Sequence, residues 1–191
     1  MEAFLVSFGA VAIAEIGDKT QLLALILAVR FRAPVAVIGG IFVATVANHA
    51  LAAFAGTLIA SWITPGILAW LLAASFILMG LWALVPDDAP SEEEVAAASR
   101  LGAFMATATA FFLVEMGDKT QLATVALGAR YEALFAVALG TTLGMMAANV
   151  PVVLFGGALS KRIPAKAMRF AAALIFIALG LIGIVTALAL T

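Results

Sequence analysis

Residues 15–21 of this chain read Glu-Ile-Gly-Asp-Lys-Thr-Gln, and residues 115–121 read Glu-Met-Gly-Asp-Lys-Thr-Gln. Each copy lies in the middle of a run otherwise too apolar for water. An ionisable side chain at mid-membrane costs roughly 3 kcal/mol on insertion scales, so the six in the two copies would cost about 18 kcal/mol unrelieved. That exceeds the roughly 5–15 kcal/mol stability of a typical protein. Pairing, water or a bound ion must relieve the cost. Lys19 and Lys119 compensate two of the carboxylates of Glu15, Asp18, Glu115 and Asp118, leaving a formal charge of −2. One divalent cation cancels that remainder, and so do two protons, so metal and protons would compete for the same oxygens.

Composition places the chain in a membrane. Of its 191 residues 65% are hydrophobic and 11% charged, against about half and about a quarter in soluble domains. The mean hydropathy is +1.21. The absence of cysteine excludes disulfides and thiolate metal sites. A single histidine, His49, argues against haem ligation or a His-built zinc site. The net charge of −1 carries no basic stripe for nucleic acid. Met1-Glu2-Ala3 lacks the positive start of a cleaved signal peptide, so the first apolar run is expected to stay as a span.

Six apolar segments approach the roughly 20 residues that cross about 30 Å of hydrocarbon. They run near Phe4–Leu27, Val35–Ile59, Ile67–Val85, Ala103–Leu127, Ala133–Leu159 and Met168–Leu190, with prolines at 34, 65, 86, 90 and 164 between them. Backbone groups in lipid must be satisfied within the segment, which makes the fold all-α. Arg30, Arg32, Arg100, Lys161, Arg162, Lys166 and Arg169 fall on one face of a six-span arrangement, and Arg130 on the other. The positive-inside rule then puts both termini on the non-cytoplasmic side. Trp62, Trp70 and Trp82, near span ends, read as interfacial anchors.

The halves match beyond the motif. Arg30 pairs with Arg130, Gly40 with Gly140, Phe76-Ile77 with Phe176-Ile177 and Gly80-Leu81 with Gly180-Leu181, all offset by 100. Asn48 pairs with Asn149 and Gly56 with Gly157 after one extra residue. Three spans per half is odd, so the halves enter the membrane from opposite sides, as in transporters whose site forms at midplane between inverted repeats. The expected organisation is one repeat over 1–85, an acidic cytoplasmic linker over 86–100 and a second repeat over 101–191. Asp87, Asp88, Glu92, Glu93 and Glu94 in the linker serve as a solvated connection or as a cation antenna. Apolar, Gly-rich faces also suit pairing of two copies.

On a continuous helix Glu15, Asp18 and Lys19 share one face, as do Glu115, Asp118 and Lys119. Opposed across the repeat axis, the faces make a cage of four carboxylates. Gly17 and Gly117 allow either close helix approach or local unwinding that frees carbonyl ligands. Oxygen-only coordination suits calcium, magnesium or manganese. Gln21, Gln121, Asn48 and Asn149 are either neutral ligands or helix–helix hydrogen-bonding groups. Thr20 and Thr120 point away from Glu15 and Glu115 on an ideal helix, and His49 serves as a proton relay or a simple polar contact.

The duplicated Glu-x-Gly-Asp-Lys-Thr motif, on the first and fourth of six short spans, resembles the Gdt-type calcium/manganese–proton exchangers. That family includes bacterial manganese exporters and Golgi ion-homeostasis proteins. The resemblance covers nearly the whole chain. It implies cation-for-proton antiport, no resident cofactor, and Glu15, Asp18, Glu115 and Asp118 as the acids at the metal. It further implies manganese export across a bacterial inner membrane, with calcium as the other candidate ion. The rival readings are a passive divalent channel, a cationic amino-acid exporter and an intramembrane aspartyl protease. The last needs two carboxylates sharing a proton, which a neighbouring ammonium opposes.

Overall fold

The computed structural model describes residues 1–86, 102–156 and 165–190. Among these residues every regular element is a helix and no strand occurs. In chain order the helices are α1 (Glu2–Glu15), α2 (Lys19–Phe31), α3 (Pro34–Trp62), α4 (Pro65–Ala83), α5 (Ala103–Glu115), α6 (Lys119–Tyr131), α7 (Leu134–Phe155) and α8 (Ala165–Ala189). The acids Asp87, Asp88, Glu92, Glu93 and Glu94, with Arg100, Gly157, Lys161 and Arg162, lie outside the described residues.

Four of these helices are long and apolar enough to cross a membrane: α3, α4, α7 and α8. The two runs expected as continuous spans over Phe4–Leu27 and Ala103–Leu127 are instead each split, α1 from α2 and α5 from α6. At 13 or 14 residues, and about 1.5 Å rise per residue, no half reaches across about 30 Å of hydrocarbon alone. Both breaks fall inside the charged motif.

Helix boundaries follow local chemistry. Pro34 and Pro65 stand in the first turns of α3 and α4, where a missing N–H costs nothing. Arg32 and Glu132 adopt left-handed φ of 51° and 49° to end α2 and α6. Pro151 lies inside α7, where it removes the hydrogen bond to the carbonyl four residues earlier.

Small residues bring backbones together. A Cβ on Gly40 would stand 2.7 Å from the Phe104 carbonyl oxygen, and one on Gly140 2.6 Å from that of Phe4. Gly80 would meet Ile177 at 2.7 Å and Gly180 would meet Ile77 at 2.6 Å. The partners are exchanged between halves at the same offset of 100. These contacts join α3 to α5, α1 to α7 and α4 to α8. Phe76, Phe111 and Phe176 are fully enclosed, whereas Val35, Leu51, Leu78, Phe135, Leu174 and Val185 face outward. A surface this apolar is a membrane protein's, because water would penalise every such side chain.

The tightest approach is between α3 and α6. A Cβ on Gly56 would overlap the Val125 carbonyl oxygen, while one on Gly66 meets nothing within 4 Å. Gly56→Ala is therefore expected to destabilise the bundle by about 3 kcal/mol through overpacking. Thermal unfolding in detergent checks this, with Gly66→Ala as the neutral comparison.

Candidate metal centre

The site begins with a turn. α1 ends at Glu15, Ile16 takes φ −69° and ψ 114°, and Gly17 takes φ 85°. The Asp18 N–H donates to the Glu15 carbonyl at 3.1 Å. These are the dihedrals and the bond of a type II β-turn, whose third residue needs the positive φ that glycine supplies without strain. The second copy repeats it, with Met116 at φ −64° and ψ 115°, Gly117 at φ 78°, and Asp118 N–H donating to Glu115 O at 3.1 Å. Gly17 and Gly117 thus act by unwinding.

After each turn an aspartate starts a new helix. Asp18 and Asp118 are the N-cap residues of α2 and α6, and Asp118 Oδ2 accepts from the Thr120 N–H at 3.5 Å. The glutamines reach back, Gln21 Oε1 accepting from Gly17 N–H at 2.9 Å and Gln121 Oε1 from Gly117 N–H at 2.6 Å. This is a capping box displaced by one residue. Both helices direct their N-terminal, partly positive ends at the acids.

Unwinding resets the helical phase, and Thr20 and Thr120 are corrected by it. Thr20 Oγ1 donates to Glu15 Oε2 at 2.6 Å, and Thr120 Oγ1 to Glu115 Oε2 at 2.9 Å. Both hydroxyls face the acids they would avoid on a straight helix. The carboxylates of Glu15, Glu115 and Asp118 converge, one oxygen from each lying within 4.8 Å of the others. Oxygens about 2.4 Å from a common calcium lie at most about 4.8 Å apart, so the three suit one ion. All three acids are buried, and Oε1 of each glutamate makes no hydrogen bond.

Asp18 stands outside that trio but lines a small cavity beside it together with Asp118, Lys119 and Thr120. Lys19 crosses between the motifs and pairs with Asp118 at 3.0 Å. Lys119 donates to the Val85 carbonyl at 3.3 Å and lies 5.8 Å over the Trp82 ring. Three of the four amide side chains bridge to a neighbouring helix. Gln21 Nε2 donates to Ala148 O at 2.9 Å, next to the carbonyl that Pro151 leaves without its helical donor. Gln121 Nε2 donates to Asn48 Oδ1, and Asn48 Nδ2 to Phe112 O at 3.4 Å. Asn149 bonds within its own helix to Met145 O at 3.1 Å, leaving its Oδ1 unpartnered. His49 is buried beside Asn48, with neither ring nitrogen hydrogen-bonded.

Spacing alone missed Arg169. It lines the same cavity as Asp18 and Asp118 from the start of α8. Its charge was legible only as part of the basic face, because nothing local links it to residues some fifty and more positions away.

Comparison with known proteins identifies the family of the chain. The family model described as "Divalent cation/proton antiporter GDT1" matches residues 3–91 and 103–190. A Vibrio cholerae serotype O1 protein described as "Putative manganese exporter" is 49% identical over 182 residues, covering 95% of this chain and 90% of that protein. No solved structure matches. The chain therefore belongs to the GDT1 family of divalent cation/proton antiporters, and it is a transporter rather than an enzyme.

Proposed function

We propose that this protein exports manganese from the bacterial cytoplasm in exchange for protons, with Glu15, Glu115 and Asp118 holding the ion and Asp18 at the edge of the site. The observation that carries the reading is the meeting of acids from both motifs with an unbonded Oε1 on each glutamate. A buried carboxylate oxygen without a donor is costly. Either a metal ion or a proton satisfies it, so occupancy by one displaces the other. Manganese and calcium both accept all-oxygen sites, and the Vibrio cholerae relative's description favours manganese.

The transport architecture is six spans in two inverted repeats, residues 1–85 and 101–191 joined by a cytoplasmic linker over 86–100. α1 with α2 forms the first span and α5 with α6 the fourth, each broken at the ion. Broken helices facing a midplane site are the usual arrangement in repeat-built transporters. The half-exchanged contacts, Gly40 on Phe104 and Gly140 on Phe4, Gly80 on Ile177 and Gly180 on Ile77, support this symmetry. Both termini lie outside, and Arg169 with Lys166 marks the cytoplasmic end of the bundle, in the inner membrane.

One rival reading loses ground. The cavity beside the acids measures about 10 Å³, room for about one water and not for an amino acid. A channel remains distinguishable by experiment. In proteoliposomes with a trapped pH dye, an imposed manganese gradient should drive opposite proton movement. Manganese flux without proton movement would identify a channel, and no flux of either ion would reject the proposal.

The threonines give a second test. Thr120→Val keeps the volume but removes the donor to Glu115. Loss of such an outer partner costs about 10–100-fold in metal affinity, so manganese affinity should fall at least about tenfold and recover in Thr120→Ser.

A further inference from the structure

Two cavities on the membrane-facing side of α4 and α6 run into one another. The first, about 270 Å³, is lined by Arg130, Tyr131, Glu132 and Thr186 at the bundle end where α4 begins and α6 and α8 finish. The second, about 420 Å³, is lined almost wholly by apolar side chains, from Leu68 to Trp82 on α4 and from Ala129 back to Leu122 on α6. Leu68, Leu72 and Ala129 line both. The result is one groove with a charged head and an oily body.

The head carries an unpartnered donor. Arg130 Nε is buried without a hydrogen-bond partner, and the guanidinium lies 5.5 Å over the Tyr131 ring. Among the described residues no carboxylate pairs with it within 4 Å. Glu132 lines the same cavity with an exposed side chain. A cation with a donor to spare and a separate carboxylate complement a group bearing both signs. The body has the matching length. From Leu68 to Trp82 at about 1.5 Å per residue the groove runs about 21 Å, enough for an acyl chain filling one leaflet of a bilayer whose hydrocarbon is about 30 Å thick.

We propose that this groove is a phospholipid site selective for an amine-bearing zwitterionic headgroup: the phosphate binds Arg130, the ammonium binds Glu132, and one acyl chain lies between α4 and α6. The tail ends against Trp82, the ring on which the motif residue Lys119 rests. Trp82 thus lines the groove and carries a residue of the second motif. The site is separate from the ion site and stands whether or not manganese is the transported ion.

Native mass spectrometry of the purified full chain tests it, using phosphatidylethanolamine and phosphatidylglycerol of identical tails. Retention of phosphatidylethanolamine should exceed that of phosphatidylglycerol by about tenfold, since Glu132 repels an anionic headgroup that lacks an amine. Arg130→Gln should cut retention of both lipids by about tenfold or more. Glu132→Gln, a change on an exposed side chain, should leave binding but erase the preference. Ser75→Phe, which fills the groove, should remove tail binding with Arg130 untouched. Equal retention of both lipids by the native chain would overturn the proposal. So would unchanged retention in Arg130→Gln, or a dimer peak free of lipid, which would mean that a second copy fills the groove.

Discussion

Glu115→Gln is expected to lower manganese-driven proton flux at least about 100-fold while leaving the protein folded. The substitution keeps the shape of the side chain, and Thr120 Oγ1, now 2.9 Å from a carboxylate oxygen, can still donate to the amide oxygen. What disappears is a titratable oxygen in the trio formed with Glu15 and Asp118. A neutral amide neither balances a divalent charge nor releases a proton to it. A loss of about 100-fold corresponds to about 2.7 kcal/mol, within the range of about 1.5–3 kcal/mol for a hydrogen bond to a charged group. Stability should move the other way. A carboxyl group that is 1% exposed with one oxygen unbonded is costly to bury, so Glu115→Gln should melt at the same or a higher temperature. Active-site residues that trade stability for function behave in this manner. Flux in proteoliposomes and unfolding in detergent, measured on one preparation, separate the outcomes. Lost flux with a lowered melting temperature would mean that Glu115 is structural, and undiminished flux would remove it from the ion site. Glu15→Gln should behave alike, given its own Thr20 donor at 2.6 Å.

Lys19→Met should tighten manganese binding and slow turnover. Lys19 Nζ sits 3.0 Å from Asp118 Oδ1, so an incoming metal must displace an ammonium to use that oxygen. A charge-assisted bond of this kind is worth about 1.5–3 kcal/mol. Its removal should lower the dissociation constant by about tenfold or more, since about 1.4 kcal/mol is tenfold. Release then slows, because no internal cation waits to reclaim the aspartate. Methionine preserves most of the stem and isolates the charge. Calorimetry reads the affinity and metal flux the turnover. Weaker binding would refute the competition and make Lys19 a residue that holds Asp118 in place for the metal.

The glycine in each motif shows where reading by spacing stops. A helical wheel over Glu15–Gln21 assumes one unbroken phase, and on that assumption Thr20 points away from Glu15. The turn at Ile16-Gly17 restarts the phase, so Thr20 folds back onto Glu15. Unwinding was one of two options the sequence left for Gly17 and Gly117. The choice depended on whether a hydrogen bond from Asp18 N–H to Glu15 O could replace the lost helical bonds, and it does. The motif's Gln had a legible signal, since Asp-Lys-Thr-Gln places a glutamine three residues after an N-cap.

Residence in a membrane, an all-helical fold and two linked acidic motifs were determined by the sequence itself. Apolar runs of this length need a backbone that satisfies its own hydrogen bonds in lipid, and charge buried twice at one offset must be relieved by pairing, water or an ion. Tertiary structure alone decided that Lys19 serves the other motif's Asp118, that Asp18 lies outside the trio of Glu15, Glu115 and Asp118, and that Arg169 lines the cavity beside them. Those are contacts between segments distant in the chain. They depend on how closely Gly40, Gly80, Gly140 and Gly180 let the helices approach, a distance that no local spacing encodes.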